Sequence, residues 1–212
     1  MIVVVDYGMG NLRSVAKALA HVAPDREIVV SDDPEIIRGA ERIVLPGQSA
    51  MPDCMRCLAD SGLSAVVREV VEQRPFLGIC LGLQMLFETS EEGPTRGLGI
   101  LPGPVVRFDE SRMHGASGQR LKVPHMGWNR VHQNVPHPLW SGIPDESRFY
   151  FAHSYYPAPV DGSVTAGTTA YPAPFTCAVA RANIFATQFH PEKSHRAGLK
   201  LLANFVTWDG RA

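Results

Sequence analysis

The chain has 212 residues, 45% of them hydrophobic and 19% charged, with 20 Lys and Arg against 21 Asp and Glu and a formal charge of −1. A chain of that length buries roughly 70% of its unfolded surface, enough for one core without disulfides or metal, and its composition excludes intrinsic disorder. Balanced charge without basic blocks excludes the electrostatic footprint of a nucleic-acid or anionic-membrane binder, and four cysteines are too few for a disulfide scaffold. The longest nearly apolar run, Pro75 to Phe87, contains Gln84 and is shorter than the ~20 residues of a membrane span. Met1 to Asp6 lacks a basic segment, so a signal peptide is not expected and a cytoplasmic location is.

Ile2 to Val5 is a β-branched run that stops at Asp6-Tyr7-Gly8-Met9-Gly10-Asn11, after which Leu12, Val15, Ala16 and Leu19 recur at helical spacing. Glu27 to Val30 predicts a second strand, and Asp33-Pro34 a helix start with Asp as cap and proline at the first helical position. A third strand, Ile43 to Leu45, should stop at Pro46-Gly47. An amphipathic helix over Leu63 to Val71 leads to a strand over Phe76 to Ile79 and a helix over Leu83 to Phe87. Apolar strands with intervening helices predict a parallel sheet covered on both faces.

The second half reads as short strands at Val105–Phe108, Trp128–Val131, Phe149–Phe151, Val164–Ala170, Phe175–Ala180 and Ile184–Phe189, punctuated by Pro and Gly. They are expected as antiparallel additions to the same sheet. The polar loop Asp109 to Gly118 is expected to be mobile, and a last helix over Ser194 to Val206 should bury Leu199, Leu202, Ala203 and Val206. The fold class expected is α/β: one domain over residues 1–212, with a central mostly parallel sheet, helices on both faces and antiparallel additions.

Gly78-Ile79-Cys80-Leu81-Gly82 lies where a buried strand gives way to a helix, the context of a nucleophile elbow with cysteine in the serine position. The flanking glycines permit the sharp turn, and the positive end of the following helix favours thiolate. Taken alone, the cysteine is better read as a buried structural thiol. Gln188-Phe189-His190-Pro191-Glu192-Lys193 shifts that balance. Pro191 biases His190 toward extended backbone, where residues two apart share a face, so Glu192 can orient the His190 ring and stabilise its charged form. A Cys80-His190-Glu192 triad then explains both segments. Acyl transfer also needs oxyanion donors, expected from the Leu81 N–H and from the loop Pro46-Gly47-Gln48-Ser49.

Other motifs are weaker. Cys54-Met55-Arg56-Cys57 could be a redox pair or half a zinc site, but too few further thiols remain for a closed zinc site, and two small residues on a helix is the simpler reading. Gly8-Met9-Gly10 lacks the third glycine of a dinucleotide fingerprint. His21, His114, His132 and His137 read as surface or loop residues.

Gly-Ile-Cys-Leu-Gly-Leu-Gln (78–84) with Gln-Phe-His-Pro-Glu-Lys-Ser (188–194) resembles the class I, triad-type glutamine amidotransferases. Residues 6–14, 122–129 and 150–156 narrow the resemblance to the glutaminase subunits of imidazole glycerol phosphate synthases. One departure is Gln48-Ser49, where that family usually has Val-Gly. The resemblance implies that Cys80 attacks the glutamine amide, His190 passes the proton to departing ammonia, Glu192 orients His190, and the N–H groups of Leu81 and the Gly47–Gln48 peptide bind the oxyanion. It implies Gln84 and the backbone around His153, Ser154 and Tyr155 as glutamine-binding positions, and no metal or organic cofactor. It also implies a heterodimer with a (β/α)₈ cyclase subunit that consumes the ammonia, docked on a face bearing Asn11, Met126 and Trp128. An α/β-hydrolase with a cysteine elbow places its acid before the histidine rather than two residues after it, and a non-catalytic module would be expected to lose part of the triad. The nearest alternative is an amidotransferase serving another synthase, against which the Lys122 to Asn129 stretch argues.

Overall fold

The computed structural model describes residues 1–115 and 118–211. The first half comprises β1 (Ile2–Val5), α1 (Leu12–Val22), β2 (Ile28–Ser31), α2 (Pro34–Arg38), β3 (Arg42–Gly47), α3 (Met51–Asp60), α4 (Ser64–Val71) and β4 (Phe76–Cys80). There follow α5 (Leu81–Gln84), β5 (Phe87–Ser90), β6 (Thr95–Arg96), β7 (Leu101–Arg107) and β8 (His125–Gln133). The chain continues through β9 (Ser147–His153), β10 (Tyr155–Pro157), β11 (Thr165–Ala170), β12 (Pro174–Arg181), β13 (Ile184–Thr187) and α6 (His195–Thr207).

Nine strands form the central sheet, in the order β2-β1-β3-β4-β13-β12-β11-β8-β9. Strands β1, β4 and β13 are buried along their whole length, as parallel strands covered on both faces must be. The expected α2 start is present: the Asp33 carboxylate accepts from the Glu35 N–H at 2.8 Å, with Pro34 next in the chain. Helix α1 turns Val15, Ala18 and Leu19 into the core.

Several expectations need correction. Strand β3 continues through Pro46 to Gly47, which lies opposite Cys80, because a proline ends a strand only where its missing N–H was needed. The helix expected through Phe87 is a single turn. The Met85 and Phe87 carbonyls instead accept from Leu98 and Gly99 (2.7 and 3.0 Å), drawing this segment into a second sheet, β10-β7-β5-β6. That sheet, not the central one, also holds the Val105–Phe108 strand. Strands β12, β11, β8 and β9 are the antiparallel additions expected, but β13 is parallel to β4, since a strand buried throughout belongs at the sheet centre. Helix α6 buries Gly198, Leu201, Leu202, Phe205 and Val206 rather than Leu199 and Ala203. A Cβ on Gly198 would overlap the Pro191 carbonyl, so this close approach sets the rotation of the helix. His137 lies in a loop but is buried, its ring against Phe185 and Trp208. In the loop Asp109 to Gly118, positions 116 and 117 fall outside the described residues; Glu110–Arg112 forms one 3-10 turn. Among the described residues, no helix is long and apolar enough to cross a membrane.

Candidate active site

Cys80 ends β4 with φ +54° and ψ −107°, a conformation costly for a residue with a Cβ, and α5 begins at the next residue. The glycines around it are there for space. A Cβ on Gly82 would overlap the Leu45 carbonyl oxygen; one on Gly78 would lie 2.9 Å from the Ala186 Cβ, and one on Gly47 2.5 Å from the Leu81 Cβ. Helix α5, only four residues long, supplies the N–H groups of one turn beside the thiol. The Cys80 side chain sits in a nearly closed setting, 3% exposed.

On the far side of the sulfur, His190 follows β13, the central strand beside β4. Its backbone is extended, as a residue before proline should be, whereas Glu192 lies in the 3-10 turn Pro191–Lys193 rather than in an extended segment. The two side chains still meet: His190 Nδ1 lies 2.9 Å from Glu192 Oε1. The Glu192 side chain is fully buried, and its Oε1 also accepts from Asn11 Nδ2 at 3.2 Å. The Ser194 hydroxyl ties down the loop, donating to the His190 carbonyl (2.6 Å) and accepting from the Tyr150 N–H (3.0 Å). Burial works against the charged imidazole, but Cys80 and Glu192 on its two sides outweigh it and lift the His190 pKa to about 10. Burial likewise opposes the Glu192 carboxylate, yet His190 and Asn11 hold its pKa below the ordinary value.

A cavity of about 150 Å³ that reaches Leu81, the residue after Cys80, is also lined by Ser49, Gln84, His153, Ser154 and Tyr155, among others. Gln84 Nε2 donates to the Tyr155 carbonyl (3.1 Å) and to Gln188 Oε1 (3.0 Å), and Gln188 Nε2 reaches Cys80 Sγ at 3.7 Å. Gln84 Oε1 is buried and has no partner among the described residues. In the loop after β3, the Tyr7 hydroxyl donates to the Pro46 carbonyl (3.0 Å) and the Cys54 thiol to the Gln48 carbonyl (3.2 Å). Ser49 sits in the left-handed region, φ +83°.

The structure brings His190 and Glu192 together beside Cys80 and places Gln84, His153, Ser154 and Tyr155 around one cavity. Asn11, expected at a partner surface, is half-buried and donates to the Glu192 carboxylate. Met126 and Trp128 are 64% and 42% exposed, with Trp128 stacked on His195 at 4.9 Å. Sequence reasoning missed Gln188, Tyr7 and Cys54. Gln188 stood two residues before His190, where period-two alternation could have found it; the other two reach the site through tertiary packing alone.

Residues 3–208 match the family model "Glutamine amidotransferase class-I". The chain is 64% identical over 207 residues to "Imidazole glycerol phosphate synthase subunit HisH" of Nitrosospira multiformis, covering 98% of this chain and 97% of the relative. It is 61% identical to the protein of the same name in Aromatoleum aromaticum, covering 98% of each. Among solved structures, the fold resembles PurLQS from Thermotoga maritima (TM-score 0.70, 18% identity, 97% of this chain and 96% of that one). It also resembles a putative GMP synthase subunit from Thermoplasma acidophilum (TM-score 0.68, 22% identity, 97% and 91%).

Proposed function

Because this chain belongs to the class-I glutamine amidotransferase family and, within it, to the HisH subunits of imidazole glycerol phosphate synthase, we propose that Cys80, His190 and Glu192 hydrolyse glutamine for an ammonia-consuming cyclase subunit. The arrangement of a strained Cys80 against a buried His190–Glu192 pair carries this reading. Cys80 Sγ attacks the side-chain amide carbon, and the negative charge gathers on the amide oxygen, facing the N–H groups of Leu81 and the Gly47–Gln48 peptide. His190, which carries its proton at neutral pH, gives it to the nitrogen as the C–N bond breaks, releasing ammonia and leaving a glutamyl thioester. The now neutral imidazole takes a proton from water, whose oxygen attacks the thioester; glutamate leaves and the sulfur is restored. Glu192 keeps His190 in one tautomer and offsets its charge.

Gln84 and the segment His153-Ser154-Tyr155 line the cavity into which glutamine would fit. The reading extends to a heterodimer in which a (β/α)₈ cyclase covers Met126 and Trp128, since exposed aromatic anchors of this kind dominate interface energies. It includes a cytoplasmic location, consistent with four unpaired cysteines. The test is Cys80→Ala in the complex. Glutamine-dependent synthesis should be lost while ammonia-dependent synthesis persists, and residual glutaminase turnover would show that the nucleophile lies elsewhere.

A further inference from the structure

At the cavity wall, two buried histidines, of which His153 itself lines the cavity, stand in a hydrogen-bonded row that the triad does not use. His153 Nδ1 lies 2.8 Å from the Tyr155 carbonyl, His153 Nε2 lies 3.0 Å from His125 Nδ1, and His125 Nε2 lies 3.3 Å from Asn129 Nδ2. Asn129 Nδ2 also donates to the Ala170 carbonyl at 2.9 Å, while its Oδ1 accepts from the Arg130 N–H at 2.8 Å, which fixes the orientation of the amide.

One end of the row determines every proton in it. A carbonyl only accepts, so His153 must carry its proton on Nδ1. Its Nε2 is then an acceptor and the neighbouring His125 Nδ1 must donate. That leaves His125 Nε2 as an acceptor for the Asn129 amide. An extra proton on either ring would set two N–H groups face to face. Burial supports this order: it lowers the pKa of His125 to about 4 and, with help from the neighbouring His125 and His190, that of His153 to about 3. The His125 ring is held by stacking on Tyr171 (4.1 Å) and Phe151 (4.8 Å).

The row ends on the carbonyl that also receives Gln84 Nε2. Resting on the function proposed above, we propose that His125 and His153 are positioning residues whose fixed proton order pins the Tyr155 carbonyl, and with it Gln84, in the geometry that binds glutamine. They touch no reacting atom. Their effect falls on substrate affinity rather than on the chemical step. The outer end opens on a cleft of about 400 Å³ beside Met126 and Trp128, so His125 and Asn129 join an exposed surface to the substrate cavity through side chains of known polarity.

The experiment uses the full chain, alone and with its cyclase. Long-range ¹⁵N–¹H correlation spectra of the free chain should show both rings as neutral Nδ1–H tautomers, the form that histidine in water disfavours. In the complex, His125→Phe keeps the stacking and removes the donor; it should raise KM for glutamine about tenfold with kcat within threefold of wild type. His125→Asn, which restores a donor near the Nδ1 position, should recover most of that loss. The rate at which iodoacetamide alkylates Cys80 should be unchanged in both variants. An Nε2–H tautomer at His153, an unaltered KM in His125→Phe, or a loss equal in both variants would overturn the proposal. If the wild-type complex showed no glutaminase activity, the function above would fail, and the tautomers would still decide whether the row is ordered as described.

Discussion

The two walls of the proposed active site are built on different principles. The Cys80 wall is made of backbone: a positive-φ turn at a strand end, packed so closely that three glycines have no room for a Cβ. The wall opposite is made of side chains brought together across long stretches of sequence, with Asn11, His190 and Glu192 in one hydrogen-bonded group. A wall of the first kind fails through sterics and fails as a unit. A wall of the second kind fails by degrees, according to which donor or charge is removed.

The largest graded effect should come from His190. Loss of the proton carrier in His190→Ala should lower single-turnover acylation by ~10³-fold or more, within the range for general acid–base groups. Glu192→Gln should cost closer to ~10²-fold, because an amide still contacts the ring but cannot balance its charge. Equal losses would mean that Glu192 takes part in proton transfer and does more than orient. On the steric wall, Gly82→Ala should have no intermediate outcome. The new methyl group overlaps the Leu45 carbonyl, and overpacking of that kind costs ~3 kcal/mol or more, read as a fall in urea midpoint at unchanged m-value.

The histidines divide along the same line, and pH separates them. His190 has a folded pKa raised to about 10, so its contribution to stability is complete below ~6.5, the unfolded value, and is lost as pH rises toward 10. His125 and His137, lowered to about 4 by burial, and His153, lowered to about 3, act in the opposite sense. Between pH ~6.5 and 4 the unfolded chain binds the additional protons, so stability falls as the solution is acidified. His137 accepts from the Leu139 N–H at 3.1 Å, a role asparagine can fill. His137→Asn should therefore reduce the acid slope of unfolding free energy by up to ~1.4 kcal/mol per pH unit, measured by urea titration across that window. Glu192→Gln should flatten the alkaline side instead.

The backbone wall was the more legible in sequence. Gly78, Cys80 and Gly82 are close neighbours in the chain, and an elbow is a local event. The parallel half of the sheet was legible for the same reason, since continuous apolar strands and the Asp33 cap are short-range signals. What escaped depended on contacts distant in sequence. The segment after Gln84 reads as helix by periodicity, yet residues 97–101 claim its carbonyls and turn it into sheet. The contact of Asn11 with Glu192 spans 181 positions, and nothing near Asn11 in sequence speaks of it. Tyr7 and Cys54 reach the loop after β3 in the same way. His190 and Glu192 were found although the expected extended geometry between them is a 3-10 turn, because only their proximity mattered.

The smallest effect expected lies where the two walls meet, at Ser49. Its φ of +83° is a conformation that costs a residue with a Cβ ~1–2 kcal/mol and costs glycine almost nothing. The peptides on either side of Gly47–Gln48 are held: the Pro46 carbonyl by the Tyr7 hydroxyl and the Gln48 carbonyl by the Cys54 thiol. Rotation in this loop therefore concentrates on the Gly47–Gln48 peptide, whose N–H is the second oxyanion donor in the proposed mechanism; an absent donor costs ~10²–10³ in rate. Ser49, which also lines the cavity, biases that rotation by adding strain to one end of the loop. Ser49→Gly should accordingly change the ratio of cyclase-ligand-stimulated to basal glutaminase activity by ~3–5-fold, the size that ~1 kcal/mol of released strain allows. Glutamine affinity should stay within twofold. Turnover of the mutant complex with and without the cyclase ligand measures both quantities. If affinity moves while the ratio does not, the strain at Ser49 acts on the substrate cavity, and the oxyanion loop is as rigid as the elbow beside it.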